Sequence, residues 1–454
     1  MKTRNVFTVC FCLALFSSAF AADYEKVTEK TFFNGDKLTE FKLKNGFRVL
    51  VVPRHQAKVL TYQTWFSVGS LNEKMDPKLK KTGLAHLFEH MMFRGTEKYP
   101  DGKFDENTAR IGGDRQNAST HYYRTNYFES IPSNQLETLM EMEADRMRNL
   151  KLTLELIEKE KGAVVGEYRK HMDTPSGLAF DEITRLAFTV APYRYTVLGS
   201  EEEIKGFTLE EAQYFYKTFY APNNATLIII GDVTEDGLMK LVNKYYGEMT
   251  PQEIPKLEIP VEPVQKKERR METEHPQATS EIVVVAYHIP DITMTQAVPF
   301  SLLGTHLSAG TEARLKKVFV DTGIAVRASG GSSSKPDMFQ FMIQLTEQHH
   351  AEEAIRTLDK EVRALQTRPI TKESFDRALN QELLSLYGDI SDNSALGNML
   401  GEYLMMSGNY MRGFEIIEAY KALNPNDITK VAKEFLKKEN RSIVIVRPSK
   451  KGKS

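Results

Sequence analysis

The chain has 454 residues, 41% of them hydrophobic and 27% charged, with 60 basic residues against 61 acidic and a formal net charge of −1. That near-balance removes any electrostatic ground for expecting nucleic acid or an anionic membrane as partner. A single hydrophobic core stops growing at roughly 250–300 residues, so the length implies two or more domains.

Lys2 and Arg4, the apolar run from Val6 to Phe16 and the small residues of Ala19-Phe20-Ala21 form the pattern of an export signal, with cleavage expected before Ala22. The run is too short to span a bilayer, and no later apolar stretch approaches membrane length. Residues 1–21 are therefore expected to be removed and the protein to be exported, to a periplasm or outside the cell. Both cysteines, Cys10 and Cys12, lie in this segment, so the mature chain would hold no disulfide and would depend on an ordinary core. Without Lys2 and Arg4 its net charge is −3.

Phe47 to Val52 and Leu60 to Val68 read as strands, and Thr82 to Phe93 as a helix ending at Gly95. Leu136 to Asn149 and Thr153 to Met172 read as longer helices, the second N-capped by Thr153, and Ala225 to Ile230 as a strand. From Pro251 to Pro276, Pro255, Pro260 and Pro263 precede a charged cluster at Lys266 to Arg270. Proline removes backbone donors and charge disfavours burial, so 251–276 reads as a linker between domains at 35–250 and 277–447. Beyond it, Glu281 to Tyr287 and Met338 to Leu345 read as strands and Gly330 to Ser334 as a turn. The basic tail from Lys450 reads as a frayed terminus.

The two halves resemble each other. Gly95-Thr96-Glu97 recurs as Gly310-Thr311-Glu312, the Thr153 helix start recurs at Thr371, and Asn224-Ala225-Thr226 recurs as Asn440-Arg441-Ser442, at offsets of 215, 218 and 216 residues. Three matches in one order at nearly one offset indicate a duplicated domain. Strands and helices do not alternate strictly, so the fold class expected is α+β: two homologous domains, each a mainly antiparallel sheet with helices packed on one face.

His86-Leu87-Phe88-Glu89-His90 carries the chemistry. Residues four apart share a helix face, so both imidazoles can reach one ion at about 2.0–2.1 Å. Glu89 borders such an ion without having to bind it, which suits a general base for metal-bound water. A catalytic zinc needs a third protein ligand. His121, in a strand-like run, and His171, at a helix end near Pro175, are poor sources. Glu160 and Glu167, seven apart on one helix face, are better ones, and spacing does not choose between them.

With these motifs the sequence resembles the pitrilysin, insulysin and mitochondrial processing peptidase family, over about residues 35 to 447. The inverted zinc motif is followed 77 residues after His90 by Glu167, the family's spacing for the third ligand. Met92-Phe93-Arg94-Gly95-Thr96, Gly112-Gly113 with Asn117, Ala118 and Thr120, and Pro222-Asn223-Asn224-Ala225 leading to Gly231-Asp232 agree with it. The resemblance implies one Zn2+ per chain held by His86, His90 and Glu167, with Glu89 catalytic and Glu160 supporting the site. It implies an edge strand at Asn117, Ala118 and Thr120 that binds extended peptide, a mode that favours flexible substrates. Half-length members pair into a clam-shell chamber, so a homologous partner chain is implied, as a heterodimer or a homodimer.

The pattern is incomplete in one respect. At the repeat offset, His86, Glu89 and His90 correspond to Ser301, Gly304 and Thr305, so the second domain lacks a metal site of its own. Active relatives also use an arginine and a tyrosine seven residues apart in the C-terminal half. Phe319 and Val326 stand there instead, and neither Arg314 nor Arg327 fits the motif. The expectation is therefore a zinc endopeptidase whose partner supplies that pair. The competing class is a non-catalytic structural subunit of a larger assembly, for which the zinc triad would have no use.

Overall fold

The computed structural model describes residues 23–32, 34–289, 294–333 and 338–449. The expected export signal at 1–21, with Cys10 and Cys12, and the tail from Lys450 lie outside the described residues.

The first sheet comprises β1 (Tyr24–Thr31), β2 (Lys37–Leu43), β3 (Arg48–Pro53), β4 (Val59–Phe66), β5 (Asp114–Thr120), β6 (Thr125–Pro132) and β7 (Ala225–Gly231), in the order β1-β2-β3-β7-β4-β6-β5. Its neighbours are antiparallel except β3 and β7. Ala225-Thr-Leu-Ile-Ile-Ile-Gly231 is buried along its whole length, the signature of a central strand covered on both faces. The second sheet comprises β8 (Arg269–His275), β9 (Ile282–His288), β10 (Ala325–Ser333), β11 (Met338–Leu345) and β12 (Arg441–Pro448), ordered β10-β11-β9-β12-β8 with only β12 and β8 parallel. Strand for strand this repeats the β5-β6-β4-β7-β3 part of the first sheet, parallel pair included. The duplication read from short sequence echoes is thus a duplication of topology.

Helices of the first half are α1 (Ser70–Met75), α2 (Leu84–Met91), α3 (Lys103–Arg110), α4 (Leu136–Asn149), α5 (Leu154–Met172), α6 (Pro175–Ala187), α7 (Glu201–Lys205), α8 (Leu209–Phe219) and α9 (Glu235–Tyr246). The second half adds α10 (Met294–Ser308), α11 (Ala351–Thr367), α12 (Lys372–Ser391), α13 (Asn393–Ser407), α14 (Arg412–Ala422) and α15 (Pro425–Phe435). Thr153 and Thr371 cap α5 and α12, accepting from Leu156 N at 3.3 Å and Ser374 N at 3.2 Å, so the sequence echo at these threonines is an echo of capping chemistry.

One face of each sheet carries its own half's helices. The first packs Val49, Val51, Tyr62 and Leu227 against Phe88, Met140, Phe215 and Met239. The second packs Val283, Phe341 and Ile445 against Leu303, Leu358 and Ile428. The opposite faces are covered reciprocally. Leu396, Met399 and Leu400 of α13 lie on Leu50, Trp65 and Ile228 of the first sheet, and Ala179, Ile183 and Ala187 of α6 lie in one core with Ile282, Val284 and Val444 of the second. Each half thus supplies the outer lid of the other.

Three expectations need correction. The stretch 251–276 is irregular only to residue 268; Arg269–His275 then forms β8, paired along its length with β12. Gly330 to Ser333 are no turn but the end of β10, paired with β11 as far as Ser333 and Met338, and Ser334 lies outside the described residues. His121 lies in the β5–β6 turn rather than in a strand. Among the described residues no helix is long and apolar enough to cross a membrane.

Candidate metal centre and active site

Helix α2 is short and strongly sided. Leu84, Ala85, Leu87, Phe88 and Met91 are buried in the first core, which turns His86, Glu89 and His90 toward α5 and the β5 edge. His86 Nε2 lies 3.5 Å from Glu167 Oε2, and His90 Nε2 lies 3.6 Å from the same oxygen. Donors bound at about 2.0–2.2 Å in tetrahedral geometry stand roughly 3.3–3.6 Å apart, so these spacings fit a single ion. A ligand atom from each of the three residues falls within 4.8 Å of the others. The donor set of two imidazoles and one carboxylate is that of a hydrolytic zinc site with a position left for water. Burial, reinforced by His90, pushes His86 down to about 4, so its ring is the neutral form a metal requires.

Glu160 stands outside this triangle. Its Oε1 forms an ion pair with Arg94, 2.8 Å from Nε, and its Oε2 lies 3.6 Å from His90 Nδ1, on the far side of that ring from Glu167. Burial opposes its ionisation, but His90 and Arg94 outweigh it and hold the carboxyl below its ordinary value. A carboxylate behind a ligating imidazole fixes ring orientation and tautomer. Glu89 is mostly buried, and that burial raises its carboxyl; Thr120 and His90 oppose the shift. Thr120 ends β5, the outer edge of the sheet. Asn117 is exposed on that strand and Ala118 buried, so the expected peptide-binding residues lie along an open edge ending beside Glu89.

Below β5, on the face turned away from α2, a cavity of about 490 Å³ opens between the sheet and helices α12 and α13. Trp65, Asn117 and Phe128 form one wall, and Asp389, Met399 and Glu402 the other. Arg124 Nε donates to Glu402 Oε2 at 3.0 Å, and Tyr123 donates to Oε1, so the turn following β5 is tied to the second half. This clasp was invisible in the sequence, where Arg124 and Glu402 belong to no shared motif.

Comparison with known proteins agrees with this geometry. The profile of Insulinase (Peptidase family M16) matches residues 48–201, and that of the Peptidase M16 inactive domain matches residues 206–382. The chain belongs to peptidase family M16. It is a zinc metalloendopeptidase of that family with two homologous α+β domains. It is 26% identical over 414 residues to the zinc protease PqqE of Helicobacter pylori, covering 89% of this chain and 92% of that protein. It is 25% identical to the beta subunit of the mitochondrial-processing peptidase of Lentinula edodes, covering 87% of this chain and 86% of that one. Among solved structures, a protease from Helicobacter pylori superposes with a TM-score of 0.85 at 25% identity, covering 91% of this chain and all of that one. The first half of the periplasmic protease PqqL from Escherichia coli shares the fold at a TM-score of 0.71 and 19% identity, over 91% and 92% of the two chains.

Within this M16 chain the second domain holds a carboxylate of its own where α10 meets α12. Thr305, where the first domain has His90, donates to Glu382 of α12, and Tyr420 donates to the other oxygen of Glu382 at 2.9 Å. At Gly304, where the first domain has Glu89, an added Cβ would lie 3.1 Å from Gly331 Cα, so β10 closes over the ground that β5 leaves open. Phe319 is fully buried in the second core and cannot meet substrate, whereas Val326 is exposed. Arg314 is engaged by Glu361 at 2.7 Å.

Proposed function

We propose that this chain is the metal-bearing subunit of an endopeptidase that cleaves short or unfolded polypeptides. The supporting observation is the meeting of His86 and His90 with Glu167 beside Glu89. In this reading His86, His90 and Glu167 hold one Zn2+, and Glu160 orients His90. Held there, such an ion would supply Lewis-acid chemistry, polarising a scissile carbonyl and acidifying water to a pKa of about 7. Glu89 is the general base that would take a proton from the attacking water and return it to the leaving amine. A peptide extended along Asn117, Ala118 and Thr120 pairs its backbone with the edge of β5, which selects for flexible segments over folded ones.

The arginine and tyrosine missing at Phe319 and Val326 come from a homologous partner chain. Purified alone, the chain then binds zinc but cleaves peptides poorly, and the partner co-purifies from the native source. The export signal places the pair in a periplasm or outside the cell, so the native protein starts at Ala22. The test is direct: about one zinc per chain, lost with activity on chelation, and Glu89→Gln retaining zinc while losing turnover. Turnover surviving in Glu89→Gln would sink the base assignment, and full activity of the homodimer would sink the partner. A metal-loaded protein inactive with every partner would favour the structural-subunit alternative.

A further inference from the structure

The start of α2 is built in an unusual way. Helices leave their first backbone N–H groups without intrahelical acceptors, and the residue at the cap normally supplies a side-chain oxygen. Here the cap is Gly83, which has no side chain to offer. No other residue fits: its φ is +96°, and an added Cβ would lie 2.6 Å from the Leu198 carbonyl oxygen. The acceptor is brought from elsewhere. Glu73, fully buried on α1, takes Gly83 N–H on Oε2 at 2.8 Å and Ala85 N–H on Oε1 at 2.6 Å. One residue earlier, Glu203 of α7 takes Thr82 N–H at 3.1 Å and the Thr82 hydroxyl as well. Lys74, next to Glu73 in the chain, donates to the other oxygen of Glu203 at 2.6 Å and ties Glu203 to α1.

The far ends of these two helices reach the rest of the site. The backbone of Ser70 and Leu71 at the start of α1 donates to the carbonyls of His121 and Tyr122, directly after Thr120 at the end of β5. Helix α7 packs against α5, the helix of Glu160 and Glu167. The same two carboxylates therefore connect the start of α2 to the strand edge on one side and to the third-ligand helix on the other. His86 follows Ala85 directly.

We propose that Glu73 and Glu203 are positioning residues that set the axial place of α2, and with it the distances from His86, His90 and Glu89 to Glu167 and to the β5 edge. This rests on the metallopeptidase reading above. A side-chain constellation shifted by about 1 Å loses on the order of a hundredfold in rate. Replacing either carboxylate by its amide turns one acceptor into a donor facing an N–H, so the clamp loosens without a cavity being left.

The full chain is compared with Glu73→Gln and Glu203→Gln, each first checked for native circular dichroism. Zinc affinity is read by competition with a chromogenic chelator, and ligand geometry by the visible spectrum of the Co2+-substituted protein. kcat and KM are then read separately in the partner-assembled enzyme. The expected result for Glu73→Gln is about tenfold weaker zinc binding, an altered Co2+ spectrum, and a kcat reduced on the order of tenfold to a hundredfold at unchanged KM. Glu203→Gln should move the same readouts by less, and it carries the test if Glu73→Gln does not fold. Folded variants with the parent's zinc affinity and Co2+ spectrum would show an ordinary structural cap and overturn the proposal. An unsubstituted chain that takes up no zinc would overturn the metallopeptidase reading and the positioning role with it.

Discussion

At the scale of single residues, the choice between Glu160 and Glu167 shows where reading a sequence stops. Both carboxylates lie on one stripe of α5, seven residues apart, and periodicity treats them alike. They differ in a partner no spacing rule reveals: Arg94 holds Glu160 behind His90, while Glu167 is left to face both imidazoles. Glu167→Gln should therefore nearly abolish zinc binding, whereas Glu160→Gln should weaken it about tenfold to a hundredfold through His90. Equal losses in a chelator competition would show that the two share the role. A second buried carboxylate gives a stability prediction. Glu129 is fully buried beside Glu143, and Arg146 makes its ion pair with Glu143 at 2.6 Å. Burial, and then Glu143, raise Glu129 well above the ordinary 4.5. A folded-state pKa raised in this way contributes stability below about 4.5 that is lost as pH climbs toward the folded value. Glu129→Gln escapes that loss. Its stability relative to the parent should grow as pH rises above about 4.5 in urea titrations, and a constant difference would refute the assignment.

At the scale of elements, α4 and α5 were readable because a long amphipathic run and a threonine cap point to the same boundaries. Strand β10 was not. Ala325–Ser333 ends in glycine and serine, poor strand formers, and it is strand only because β11 pairs with it. Glycine is needed there for contact rather than for turning, since an added Cβ on Gly330 would meet the Phe341 ring at 2.9 Å. Strand β8 was hidden by its charges, which an outermost strand exposed on one side tolerates. The docking of α13 depends on a similarly close approach. An added Cβ on Gly401 would lie 2.1 Å from the Trp65 ring. Gly401→Ala should push α13 away from the first sheet and cost about 1–3 kcal/mol, read as a lower urea midpoint. An unchanged midpoint would mean that this interface is far looser than its packing.

At the scale of the molecule, the sequence echoes revealed a repeat but not how the two copies hold one another. Helices α6 and α13 cover the sheet of the opposite half, and no periodicity within a helix says which sheet it will cover. Neither half has a complete core without the other. Residues 23–250 expressed alone should bind a hydrophobic dye and aggregate, and co-expression with residues 251–449 should recover a soluble complex. A monomeric, dye-free first half would show that the exchanged helices are dispensable.

The same exchange makes the peptide bond between the halves unimportant once the chain has folded. The connection from 251 to 266 is irregular, with Val261 and Val264 largely exposed, so it is open to attack by other proteases or by this enzyme itself. A cut there would leave two fragments on a denaturing gel and one particle in solution, because each fragment keeps hold of the other through a helix it has lent. Such a molecule would outlive the integrity of its own backbone.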